Sequence, residues 1–115
     1  MKSKDMNALL VEHFPELKEI YIAETSWQEG HDTGSHVIYG DVLTPHLLER
    51  IQASKQEEVI RIFNFIEFLL ELEDEYAEDV VSCSVLESVA YLIKDNSQII
   101  SLLRPKSKEI LFKFL

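Results

Sequence analysis

Residues 55–73 read KQEEVIRIFNFIEFLLELE, and the periodicity of this stretch decides the fold. Polar side chains stand at Glu57, Glu58, Arg61, Asn64, Glu67 and Glu71. Spacings of three and four place them on one narrow stripe of an α-helix, which repeats about every 3.6 residues. Ile60, Ile62, Phe63, Phe65, Ile66, Leu69, Leu70 and Leu72 occupy the rest of the circumference. A helix so largely apolar belongs at the centre of a domain, covered on several sides. Ser54 and Glu57 have the spacing of a capping box, which predicts the helix start.

On the C-terminal side, Glu73, Asp74, Glu75, Glu78 and Asp79 mark a turn and the first turn of another helix. Acids there meet the positive end of the helix dipole. The following helix, over about 77–94, carries Val81, Val85, Val89 and Leu92 along one face, with Leu86, Ala90 and Ile93 beside them. That period is nearer 3.6 than 2 and selects helix over strand. Ser82, Cys83, Ser84 and Ser88 are small enough for a second helix to approach closely. Residues 95–97 end this helix and cap another over 98–103. Arg104-Pro105 breaks that one, and 106–115 form a last helix with Ile110, Leu111 and Phe114 inward.

On the N-terminal side, Ser3 is the expected cap of a helix over 4–13, with Leu9, Leu10 and Phe14 apolar. Pro15 breaks it and opens a helix over 16–25, whose inner side is Leu17, Ile20, Tyr21 and Ala23. Residues 26–35 contain Gly30 and Gly34 and form a loop. His36–Tyr39 is β-favouring and is open to an extended or a helical reading. Thr44 and Pro45 supply the cap and first position of a helix bearing Leu47, Leu48 and Ile51. The expected architecture is all-α: residues 1–115 as one compact bundle of six or seven helices in antiparallel hairpins.

Composition agrees with one domain. Of 115 residues, 46% are hydrophobic and 28% charged, a globular balance that excludes disorder. Three glycines and three prolines argue against a turn-dense sandwich or barrel. Eleven Lys and Arg face twenty-one Asp and Glu, a net charge of −10. Such a surface repels phosphate backbones and anionic lipid heads, so nucleic acid and membrane are excluded as partners, and a basic protein is favoured. The single cysteine, Cys83, excludes a disulfide framework and a Cys-based zinc site, and its small apolar surroundings predict a packed, inert thiol. With neither a signal-like leader nor a membrane-length apolar run, the expected location is the cytoplasm.

Chemistry is sparsely encoded. His31, Asp32, His36 and Asp41 have ligand chemistry suited to zinc or manganese, the basis for a metal-dependent enzyme reading. Their spacing matches no metal signature, and a loop with solvent-facing histidines is the other reading. There is no nucleophile elbow and no phosphate-cradling glycine loop, so no catalytic residue, metal or cofactor is assigned. From Glu67 to Glu87 there are eight acids and no Lys or Arg, whereas from Lys94 onward five basic residues face Asp95 and Glu109. The molecule is therefore expected to be electrically polarised. Glu71, Asp74, Glu75, Glu78 and Asp79 are either partner-binding carboxylates or a solvated junction. Trp27 and Tyr39, with Asp41 nearby, are candidate interface anchors, or else cover one end of the core.

Phe14-Pro15-Glu16-Leu17, Tyr39-Gly40-Asp41 and the apolar helices from Val59 to Ile93 resemble small acidic all-helical bacterial immunity proteins. These are the immunity proteins encoded beside secreted polymorphic or contact-dependent toxins. The resemblance implies a non-catalytic cytoplasmic inhibitor that binds one cognate toxin domain. An acidic inhibitor suits a nuclease target, since it competes with phosphate for the same basic cleft. A helical adaptor or regulatory protein-binding module, with no toxin partner, is the alternative.

Overall fold

Helix formation follows the apolar periodicity through residues 1–115, all of which the computed structural model describes, and no strand forms. Seven helices result. α1 is Ser3–His13, and α2 is Lys18–Thr25, led by a 3-10 turn at Pro15–Leu17. A short 3-10 turn at Gly30–Asp32 lies in the following loop. α3 runs without a break over 35–52 and includes a π-helical turn at Tyr39–Leu43. α4 is Gln56–Glu71. α5 runs over 75–93, with a π-helical turn at Val81–Leu86. α6 is Ser97–Ile100 and α7 is Pro105–Phe112.

The apolar helix is central, as its composition requires. α4 packs against the second half of α3, the π-helical part of α5, and α7. Val59, Ile62, Phe63, Phe65, Ile66, Leu69 and Leu70 are buried in one core that also takes side chains from every helix except α6. Each such side chain contributes about 1.5–3 kcal/mol on leaving water. Leu72, expected on the apolar circumference, lies past the helix end and is exposed.

Several predicted boundaries are corrected by tertiary contacts. Ser3 lies inside α1, whose N-cap is Lys2, and its hydroxyl hydrogen-bonds instead with the Tyr76 hydroxyl at 2.7 Å. Ser54 does not form a capping box: its φ of 57° closes the turn after α3, and Lys55 is the N-cap of α4 without a side-chain cap. Thr44 is not a cap either. The chain from Ser35 is already helical there, which settles His36–Tyr39 as helix. The π turn lets that helix pass Pro45. The Thr44 amide donates to the Tyr39 carbonyl, five residues back, and this shifted pattern accommodates a proline that has no amide to give.

The two π turns lie side by side. The Gly40 Cα hydrogens face Ser84, where an added Cβ would sit 3.8 Å from the Ser84 Cβ, and the Thr44 hydroxyl donates to the Ser84 carbonyl at 2.7 Å. The close approach expected of the small residues is thus made at Ser84. Cys83 points the other way and is exposed, which corrects its reading as a packed thiol. Ile20, Ala23, Leu92 and Phe114, expected to face inward, are also exposed, because no later helix covers those faces.

Two helix starts are capped from within their own segments. Asp74 caps α5 by accepting from the Ala77 amide at 2.9 Å, and Asn96 caps α6 by accepting from the Ile99 amide at 3.1 Å. The 3-10 turn is tied to α4 by Arg61, which donates to Glu16 at 2.5 Å and to the His13 carbonyl, and covers the Phe14 ring. The Arg61 hydrogen bond holds the Glu16 carboxyl below its usual pKa.

Half-buried His46 supplies a pH prediction. Burial, then the nearby Arg50 charge, lowers its pKa below the usual value of about 6.5. The unfolded chain therefore binds a proton that the folded chain resists. Stability should fall as pH drops below about 7, down through the folded-state pKa. Thermal unfolding of His46→Gln should show a flatter dependence than wild type between about pH 7 and pH 5. Parallel curves for the two proteins would refute this.

Candidate functional site

The junction between α4 and α5 gathers the acids expected there, but not as one uniform surface. Glu71, Glu75, Glu78 and Asp79 are exposed, as is Glu73. Glu73, in the turn, has a φ of 55°. Asp74 is already engaged, as the cap of α5 and 2.6 Å from the Met1 α-amino group. Those two partners, the amino group first, hold its carboxyl below the usual value. Asp74 is therefore a structural residue first, and only its exposed neighbours keep unsatisfied negative charge for a partner.

Glu67 departs furthest from its expected place. On the helical wheel it belongs to the polar stripe, yet it is 4% exposed. Its Oε2 accepts from the Lys106 amide at 3.0 Å. Its Oε1 accepts from the Ser107 amide at 3.0 Å and the Ser107 hydroxyl at 2.9 Å. The N-terminus of α7 leaves backbone donors without partners, and a carboxylate from α4 takes them. Pro105 at the start of α7 removes one donor, and Glu67 satisfies the next two.

That contact reshapes the electrostatics. By locking α7 onto α4, it folds the basic C-terminal region back over the acidic junction. The Lys106 ammonium lies 4.0 Å from Glu73. Glu73, Glu75 and Glu78 share a groove of about 410 Å³ with Lys106, Glu109 and Lys113. The two opposite ends expected from the sequence are therefore joined along this groove, which corrects the simple polarised picture. A second groove, of about 480 Å³, is floored by Phe65 and Phe68 and edged by His13 and Arg61.

The aromatic candidates separate. Trp27 follows α2 and is 72% exposed, the most open of the large hydrophobic side chains. Tyr39 is 0% exposed, so its reading as a surface anchor is corrected. Its ring stacks on Phe65 at 6.3 Å between centroids, and its hydroxyl donates to the Met6 carbonyl at 2.7 Å. Burial pushes the Tyr39 phenol far above its usual pKa and keeps it neutral. Being helical rather than extended turns Tyr39 inward with Ile38, Val42 and Leu43. Asp41, two residues on, is exposed on the outer side of the π turn.

The residues of the metal-binding reading do not converge on one point. His31 Nδ1 pairs with the Tyr21 hydroxyl at 2.9 Å, whereas His36 Nδ1 pairs with the Ser84 hydroxyl at 2.9 Å. Nowhere do three or more His, Cys, Asp or Glu side chains converge as a metal site requires. The loop they flank is held instead by buried Asn7. Its amide donates to the Thr33 carbonyl at 2.7 Å, and its oxygen accepts from the Ser35 hydroxyl at 2.9 Å. Asn7 had no periodic signal, since one polar residue on the apolar side of a helix reads as noise.

No helix is long and apolar enough to cross a membrane. Neither a curated protein nor a solved structure matches the chain. Residues 7–115, nearly the whole bundle, match a family described as a domain of unknown function, and the chain belongs to that family, DUF7674.

Proposed function

We infer that this chain is a non-catalytic cytoplasmic inhibitor of the immunity type, binding and neutralising one cognate basic toxin domain. The observation that carries this reading is the exposed carboxylate set Glu71, Glu75, Glu78 and Asp79. It stands on the ends of two packed helices and has no ion-pair partner within its own chain. Carboxylates held on rigid elements can take the Arg and Lys of a basic surface with little ordering cost, and the net charge of −10 steers such a partner in. A nuclease suits this inhibitor, because its substrate cleft carries the cations that the carboxylates would occupy.

The test is co-expression of the tagged protein with the protein encoded immediately upstream. One-to-one capture of a basic domain, with loss of its toxicity, supports the reading. Absence of both capture and protection defeats it and leaves the adaptor reading, which the exposure of Trp27 favours. Within a captured complex, Glu75→Lys with Glu78→Lys should slow association about tenfold or more at low salt, and the effect should shrink as salt rises. Unchanged association in stopped-flow mixing would remove the junction from the interface.

A further inference from the structure

The loop after α2 packs its 3-10 turn against α1 and α2 and leaves a pocket of about 390 Å³ between them. Sites for small organic ligands commonly enclose about 300–1,000 Å³. Val11 of α1 and Tyr21 and Ile22 of α2 give the pocket an apolar wall. Gly30 forms its loop side with a φ of 61°, and nothing lies within 4 Å of where a Cβ would stand there. The pocket is therefore open to a ligand past Gly30.

Its charge is opposite to that of the molecule. Lys18 and His31 line it together, and no Asp or Glu does. The groove along α7 mixes glutamates with lysines, and the groove floored by Phe65 and Phe68 has both Glu57 and Arg61. Asp32, next in the chain to His31, lies outside the lining. The Lys18 ammonium is in no ion pair of the structure. In a chain of net charge −10, the pocket thus sets a cation without a counter-charge beside an apolar wall.

His31 adds a fixed donor. Tyr21 is 2% exposed, its ring stacks on the imidazole at 5.8 Å, and the one hydrogen bond of its hydroxyl is to His31 Nδ1 at 2.9 Å. Burial, then the charge of Asp32, raises the Tyr21 pKa, so the phenol keeps its proton. A buried hydroxyl that only accepted would leave that hydrogen unpaired. The hydroxyl therefore donates to Nδ1, and the imidazole hydrogen resides on Nε2. Nε2 has no partner within the chain.

We propose that this pocket binds a small monocarboxylic acid with an apolar body, the carboxylate taken by Lys18 Nζ and His31 Nε2 and the body by Val11, Tyr21 and Ile22. Charge-assisted hydrogen bonds to a carboxylate are the strong ones, and the apolar wall adds burial without competing polar groups. The site lies apart from the α4–α5 junction and stands independently of the toxin reading.

Amide chemical shifts of the whole chain, titrated with phenylacetate and hexanoate, test the assignment. Saturable shifts centred on Tyr21, Ile22, Gly30 and His31 are expected. Benzylamine and benzyl alcohol, which keep the ring and lose the carboxylate, should bind about tenfold or more weakly. Lys18→Glu should weaken phenylacetate by at least as much, Lys18→Arg should retain it, and Lys4→Glu, the same charge change elsewhere, should leave it unchanged. Far-UV circular dichroism establishes that each variant is folded. No saturable shift with either acid, shifts centred away from the pocket, equal binding of benzylamine, or undiminished binding by Lys18→Glu overturns the proposal. A short peptide ending in phenylalanine with a free carboxylate separates the two sources of this chemistry. Tighter binding of that peptide than of phenylacetate assigns the pocket to a protein C-terminus and overturns the small-acid reading.

Discussion

Replacing Tyr39 with alanine is expected to cost about 3–5 kcal/mol of folding stability, the range found when a large aromatic side chain is deleted from a packed core. The ring is fully buried, stacks on Phe65, and lies in the π turn of α3 that packs against α5. Its removal leaves a cavity shared by α1, α3 and α4. Tyr39→Phe keeps the ring and loses only the hydroxyl that donates to the Met6 carbonyl, so about 1 kcal/mol is expected. Urea unfolding of the two variants measures both values. An alanine variant as stable as wild type would contradict the burial, and a phenylalanine variant that stays folded but loses its partner would restore Tyr39 to the interface.

Glu67→Ala should cost about 2–4 kcal/mol, against a total of about 5–15 kcal/mol for a domain of this kind. The loss is large because alanine strands three donors at once: the Lys106 amide, the Ser107 amide and the Ser107 hydroxyl. Glu67→Gln should be milder, about 1–2 kcal/mol, since one oxygen stays in place while the amide nitrogen faces a donor. The readout that separates this cap from a general packing defect is hydrogen exchange. In Glu67→Ala, protection should fall first at the amides of α7, with α4 and α5 still protected at that point. Uniform loss across the molecule would show that the carboxylate does not hold α7 in particular.

Both predictions concern residues whose sequence context pointed elsewhere. Tyr39 sits in a short β-favouring run before glycine, which local propensity cannot place. It becomes an inward position only once the chain is helical from Ser35. Glu67 keeps the spacing of the polar stripe, and nothing in the periodicity of α4 marks one member of that stripe as buried. Its partner lies about forty residues away at a helix start that leaves its own donors unsatisfied. The boundary errors share this cause. Ser3, Thr44 and Ser54 carry cap-like signals, but tertiary partners claim the first two hydroxyls and a left-handed turn claims the third. The cap at Asn96 was legible because it is satisfied within three residues of its own chain.

The candidate site divides the same way. Charge is a property of composition, so the carboxylates at Glu71, Glu75, Glu78 and Asp79 could be expected before any fold was known, whereas the sequence left Trp27 open between an exposed anchor and a cover for the core. The separation of those carboxylates from Asp74, and the return of the basic C-terminus over the junction, could not be expected. The sequence alone determined the helical class, the central place of the apolar helix and the strongly acidic character, because periodicity and composition act over a few residues or over the whole chain. Only the tertiary structure decided which stripe residue goes inside, which aromatic is buried, and where the basic C-terminal region folds back. Those outcomes depend on pairing groups far apart in the chain, and a hydrogen bond or ion pair has no local signature until packing brings its two ends together.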